Sequence, residues 1–261
     1  MKLHINLVKN TLFKSGAILI LIGILSANRA FAQRIEIVEV GLKLSAKERQ
    51  SLHKLIDYEI KVYNGMFNTW KNDSLRITIN LYGKYKDFNN VRKTIGNYAP
   101  TDAGFYLAAT NQSYVYADRN YIQVVLHEAS HCLLRNNLRV PQWMHEGIAT
   151  FFGSLTMDGN QIYFTRESVY IDYVKTQIKD GKIDLNRFLT TDQALWVDKK
   201  NFQYLYGVSY SIIYYIIKSN PDAMNKIISL MQEKRYRADF AIASVFGGMS
   251  RFEQSYKFFY R

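Results

Sequence analysis

His127-Glu128-Ala129-Ser130-His131 narrows what this chain can fold into more than any other stretch, because two histidines four positions apart act together only on a helix. One turn brings both imidazoles to the same face with the glutamate beside them, the H-E-x-x-H arrangement that holds zinc and supplies a general base. The flanking residues predict that helix. Asp118 can cap it, Ile122, Val125, Leu126, Ala129 and Leu133 recur at three- and four-residue spacing, and Asn136-Asn137 can end it. At about 100° per residue the histidines lie nearly opposite the middle of the apolar stripe. One face therefore belongs to a core, and the other presents His127, Glu128 and His131 to a cleft.

Catalytic zinc takes three protein ligands and keeps a fourth position for water. A metzincin would place a glycine and a third histidine just beyond His131, but Leu134 and Asn137 stand there. The better candidate is Glu146, within Pro141-Gln142-Trp143-Met144-His145-Glu146-Gly147-Ile148-Ala149. Pro141 suits the start of a helix, and the preceding loop can turn that helix back on the first. Gly147 and Ala149 lack bulk and would let the two helices approach closely around a small ion.

H-E-x-x-H followed by Trp-x-x-Glu-Gly-x-Ala resembles the small gluzincins of the peptidase MA-like kind, in the thermolysin clan. Leu205-Tyr206-Gly207-Val208-Ser209-Tyr210 and the closing segment from Phe246-Gly247-Gly248 are similar to the family's C-terminal helices. The resemblance implies a thermolysin-like minimal zincin domain of α+β class, with a mixed or antiparallel sheet before a helical C-terminal half. It implies Zn2+ on His127, His131 and Glu146, with Glu128 as general base to a zinc-activated water that attacks a peptide bond. Tyr206 is the expected donor to the developing oxyanion, with Tyr210 second. The segment from Gly104 to Ala108 would be the edge along which an extended peptide lies. Two positions depart from the family's pattern. His145 stands directly before the third ligand, and Thr150 occupies the place of an aspartate, so the residues that orient the histidines are left open.

The rest of the chain supplies the frame. Residues 1–32 read as a secretory signal: Lys2, Lys9 and Lys14 precede an apolar run from Gly16 to Leu25, and Ala30-Phe31-Ala32 offers small residues for cleavage. That run is shorter than the roughly 20 residues needed to span a bilayer, which predicts an exported protein, periplasmic or extracellular, with residues 33–261 as one domain. Of the formal net charge of +12, the segment's four basic residues carry +4 and leave +8. With Lys and Arg scattered rather than in runs, this predicts a solvated surface and no nucleic-acid partner. Cys132 is the one cysteine, so the fold rests on its core and not on disulfides.

Ser45-Ala46-Lys47-Glu48 has the form of a capping box. The helix it opens should run to about Trp70, with Leu52, Leu55, Ile56, Ile60, Tyr63 and Phe67 inward. Strands are expected near 34–40 and 75–82, a short helix at 88–95, and a hairpin at 104–117 turning at Thr110-Asn111-Gln112-Ser113. A second hairpin is expected around Asp158-Gly159-Asn160. Two further readings share the site: a binding or envelope-associated protein that keeps the zinc without turnover, and a zinc hydrolase of cell-wall material. The presence of Glu128 favours an enzyme over the binding protein, and only the substrate separates the two hydrolases.

Overall fold

The computed structural model describes residues 35–67, 69, 75–96, 101–191, 195–196 and 198–261. The expected secretory signal and Trp70 lie outside the described residues.

Strand β1 (Ile35–Val40) pairs in parallel with β2 (Ile77–Tyr82), Ile35 opposite Ile77 and Val40 opposite Tyr82. Parallel neighbours need a long crossover, and helix α1 (Ala46–Phe67) supplies it. Its capping box forms as the sequence predicts: the Glu48 N–H donates to Ser45 Oγ at 3.2 Å, and the Ser45 N–H to Glu48 Oε2 at 2.8 Å. The six predicted apolar positions of α1 are all buried. Helix α2 (Tyr85–Ile95) starts three residues before its predicted beginning. It leads to the hairpin of β3 (Gly104–Leu107) and β4 (Gln112–Tyr116).

The sheet order is β1-β2-β4-β3, with β4 parallel to β2 and antiparallel to β3. The sheet is therefore mixed and β3 is an edge. Its turn closes earlier than predicted, because Asn111 takes a positive φ of 56°, a conformation asparagine tolerates, and Gln112 and Ser113 already belong to the strand. Ile77, Ile79, Leu81 and Val115 face the main core, while Tyr82, Tyr114 and Phe105 meet Phe88 of α2 in a small aromatic cluster.

The C-terminal half is helical, so the class is α+β as expected. Helices α3 (Tyr121–Asn137) and α4 (Gln142–Gly153) precede the hairpin β5 (Leu155–Asp158) and β6 (Gln161–Phe164). That hairpin turns where Gly159 has φ 58°. Then come α5 (Ser168–Lys179), the short α6 (Leu185–Leu189), α7 (Phe202–Ser219), α8 (Pro221–Glu233), α9 (Ala238–Phe246) and α10 (Met249–Tyr260). Helix α7 is buried on every side from Leu205 to Ile217, a stretch that holds no charged residue. The break between α9 and α10 is made by Gly247 and Gly248, both at positive φ, a region that costs glycine nothing.

Gly147 of α4 sets the spacing of the helical layer, but not where the sequence places it. A Cβ there would lie 2.6 Å from the Ser209 carbonyl oxygen and 2.8 Å from Ile213 Cγ1. The close approach is thus to α7. On the α3 side it is Gly153 that comes near, 3.1 Å from the Gln123 carbonyl oxygen. No helix among the described residues is long and apolar enough to cross a membrane.

Candidate metal centre

Helix α3 runs through the core rather than along its surface. Val125, Leu126, Ala129 and Leu133 are buried as the stripe predicts, and Ser130, Cys132 and Leu134 are buried as well. Asp118 does not cap the first turn; its Oδ1 accepts the N–H of Asn120, the residue at the N-cap, at 2.8 Å. The outcome for the histidines is the expected one. His127 and His131 share a face, their Nε2 atoms 3.1 Å apart and their rings nearly perpendicular at 88°.

Helix α4 brings Glu146 against that pair. Its Oε2 lies 3.3 Å from His127 Nε2 and 3.7 Å from His131 Nε2. These are ion-pair distances without hydrogen-bond alignment, and among the described residues this buried oxygen has no donor. Two imidazole nitrogens and a carboxylate oxygen thus converge within 4.8 Å of one another. Atoms about 2 Å from a common ion at tetrahedral angles stand roughly 3.3 Å apart, so the donor set fits a small tetrahedral cation. Zinc accepts these donor types.

Electrostatics point the same way. Burial alone would push the Glu146 carboxyl up, but His131, His127 and His145 outweigh it and hold Glu146 at about 2. Burial, with help from His127 and His145, pushes His131 well below the usual imidazole value against the pull of Glu146. For His127 burial acts downward too, yet Glu146 and Glu128 leave it above its ordinary value. Glu128 is different: burial and the like charge of Glu146 raise it to about 8, with His127 opposing. It stands outside the three converging side chains, against the edge strand, where a Cβ on Gly104 would lie 3.1 Å from its Oε1. Ser113 of β4 ties the same turn of α3 to the sheet, its hydroxyl donating to the Glu128 carbonyl at 3.2 Å.

Two orienting contacts went unread in the sequence. Gln142 donates from Nε2 to Glu146 Oε1 at 2.7 Å, fixing the carboxylate so that Oε2 faces the histidines. Its signal was the one-turn spacing from Glu146. His145, notable in the sequence only for standing directly before Glu146, lies against His131, with the two Nδ1 atoms 2.8 Å apart. Thr150, at the position of the family's aspartate, orients neither histidine, since its Oγ1 has no partner among the described residues.

Tyr206 of α7 reaches the centre as expected, its ring 6.3 Å from that of His127. Burial, then Glu146 and Glu128, push its phenol well above the ordinary range, so it remains a donor. Tyr210 does not reach the site, because its hydroxyl accepts the Glu167 N–H at 3.0 Å. Cys132 is buried beside Asn111, 3.3 Å from Oδ1, and burial raises its thiol to about 12, the state of an inert cysteine. His127, Glu128, His131, Glu146 and Tyr206 line one cleft of about 550 Å³ whose other wall is β3, from Gly104 to Leu107.

The profile of a family described as a protein of unknown function, DUF1570, matches residues 121–236. The match starts at the first residue of α3 and contains all three converging side chains, Glu128 and Tyr206. No curated protein matches the chain.

Proposed function

We propose that this chain is a zinc-dependent metallopeptidase of the gluzincin type, with His127, His131 and Glu146 as ligands. The observation that carries this reading is the placing of Glu128: a carboxylate beside the three-ligand cluster but outside it, facing the backbone of an open sheet edge. When bound, zinc would acidify a water and polarise the scissile carbonyl.

The chain's own residues divide the remaining work. An extended peptide laid along β3 pairs its backbone with the edge strand, a sequence-tolerant mode of holding, and its carbonyl comes over the cluster. Glu128 takes the proton of the attacking water and returns it to the leaving amine. Its raised affinity for a proton suits that exchange, since a base works best when its pKa lies near the working pH. Tyr206, protonated and buried, donates to the oxygen on which negative charge develops. Gln142 and His145 hold Glu146 and His131 in place. The expected secretory signal would put the activity outside the cytoplasm.

Elemental analysis of the purified chain and its Glu146→Ala and Glu128→Gln variants, with cleavage of unstructured casein followed alongside, tests the proposal. The expected pattern is one zinc per chain in the wild type, little in Glu146→Ala, and full metal without cleavage in Glu128→Gln. A wild type that binds no zinc, or casein cleavage that survives Glu128→Gln, would sink it.

A further inference from the structure

Behind the metal cluster, on the side of His127, a second chamber of about 210 Å³ opens between α3, α4, α5 and α7. It shares His127, Glu128 and Tyr206 with the cleft, so a group seated in it would belong to a molecule whose reacting part lies at the metal. Its size suits one long side chain, whereas a drug-sized ligand takes roughly 300 Å³ or more.

The lining chemistry is one-sided. Glu167, at the start of α5, lines the chamber together with the rings of Tyr170 and Tyr206. Its carboxylate makes no hydrogen bond or ion pair with the described residues, and it does not cap its own helix. Only its backbone is held, through the N–H donated to Tyr210. Tyr170 stands between two acids: after burial, the charges of Glu167 and then Glu146 raise its phenol. No lysine or arginine lines the chamber among the described residues. A half-buried carboxylate without a counter-ion carries a desolvation cost that a cationic guest would offset. Aromatic faces beside it attract the same kind of guest.

We infer that this chamber is a specificity subsite for a cationic side chain, lysyl or arginyl, of the peptide held at the metal, with Glu167 as its counter-ion and Tyr170 and Tyr206 as its walls. This rests on the peptidase reading for the origin of the guest, but the chemistry it demands, an alkylammonium or guanidinium on a flexible stem, can be tested without turnover.

The probes are N-acetyl-lysine methylamide, its apolar counterpart N-acetyl-norleucine methylamide, and alanine methylamide with a free α-amine. Their binding to the full zinc-loaded chain is followed by NMR titration, with hydrolysis of a fluorogenic peptide set containing lysine or norleucine at each position measured in parallel. The lysine probe should bind about tenfold more tightly than the norleucine probe, the value of one charged hydrogen bond. Glu167→Gln should bring that ratio to within about twofold, and Glu167→Lys should reverse it, with zinc content and circular dichroism confirming that both variants fold. Equal binding, no binding, or a preference that survives Glu167→Gln overturns the subsite. Tighter binding of the free-amine probe than of the lysine probe overturns the side-chain assignment in favour of a chain terminus. Peptide turnover without a lysine preference overturns the subsite and leaves the peptidase reading standing. A Glu167-dependent lysine preference without any turnover does the reverse.

Discussion

Nδ1 of His145 sits 2.8 Å from Nδ1 of His131, the two rings stacked with centroids 4.7 Å apart and planes 20° from parallel. A cation bound at Nε2 of His131 would leave the proton of the neutral ring on Nδ1, from which it would donate to His145. That is the kind of contact that fixes the tautomer and ring angle of a metal-binding histidine. Helix α4 thus brings Glu146 to the cluster and, from the neighbouring position, His145 against His131.

On the proposed zinc reading, replacing His145 by alanine should therefore weaken zinc binding by about 10- to 100-fold while the fold is kept. His145→Gln, which can still accept from Nδ1, should recover part of the loss. Competition titration against a chelator measures both, and equal affinities for the wild type and His145→Ala would remove the orienting role.

Gly147→Ala should cost about 1–3 kcal/mol, the usual penalty of overpacking, since the added methyl meets backbone of α7 at 2.6 Å. A lower midpoint of urea denaturation is the readout. Gly207→Ala, one helix away, is the contrast: its nearest neighbour would be Tyr173 Cδ1 at 3.4 Å, an ordinary contact. It should be neutral, or stabilising by up to about 1 kcal/mol through helix propensity.

Glu59 of α1 is fully buried against α3, accepting from Ser130 Oγ at 2.7 Å, and burial raises its carboxyl well above the usual value despite that bond. Tyr63 and Cys132, the titratable groups that feel its charge, are themselves pushed up. Above the unfolded carboxyl value of about 4.3 the folded state keeps a proton that the unfolded chain gives up. Stability then falls by up to about 1.4 kcal/mol per pH unit until the folded value is passed. Glu59→Gln should remove this slope, matching the wild type near pH 4 and exceeding it at pH 7. Denaturation midpoints across that window decide the matter, and parallel curves would contradict it.

If the proposed peptidase reading holds, Gly104→Ala should lower peptide turnover with zinc retained. The methyl would crowd Val124 Cγ1 at 2.5 Å and Glu128 Oε1 at 3.1 Å, shifting Glu128 and the edge strand but not His127, His131 or Glu146. Zinc content and casein cleavage measured on one preparation separate the two effects.

The convergence of His127, His131 and Glu146 was legible because the histidines sit one turn apart on one helix and Glu146 on the next, which Pro141 precedes. Strand periods likewise gave β2, whose Ile77, Ile79 and Leu81 alternate inward. What the pattern could not give is which neighbour each face meets. Gly147 reads as a small residue near the site, yet α7 claims its close approach. That depends on how α4 rolls between two helices, a tertiary outcome with no local signature. Tyr210, the second choice after Tyr206, lies four residues further along a fully buried helix, and its hydroxyl meets the Glu167 N–H instead. The hairpin turn was misplaced for a local reason, the tolerance of Asn111 for positive φ.

All three converging side chains come from two consecutive helices joined by a short loop. Loop-closure entropy grows with the length of chain enclosed, so a metal held there would clip a small loop and add little to the cohesion of the remaining helices. Stripping the ion should slacken α3 against α4 while α7 to α10 stay docked through their buried side chains, among them Tyr256 and Tyr260, whose hydroxyls bond Ser211 at 2.6 and 2.7 Å. A scaffold of this kind would persist through loss and recapture of a bound ion, so that supply of the ion would govern the proposed chemistry without governing the lifetime of the folded chain.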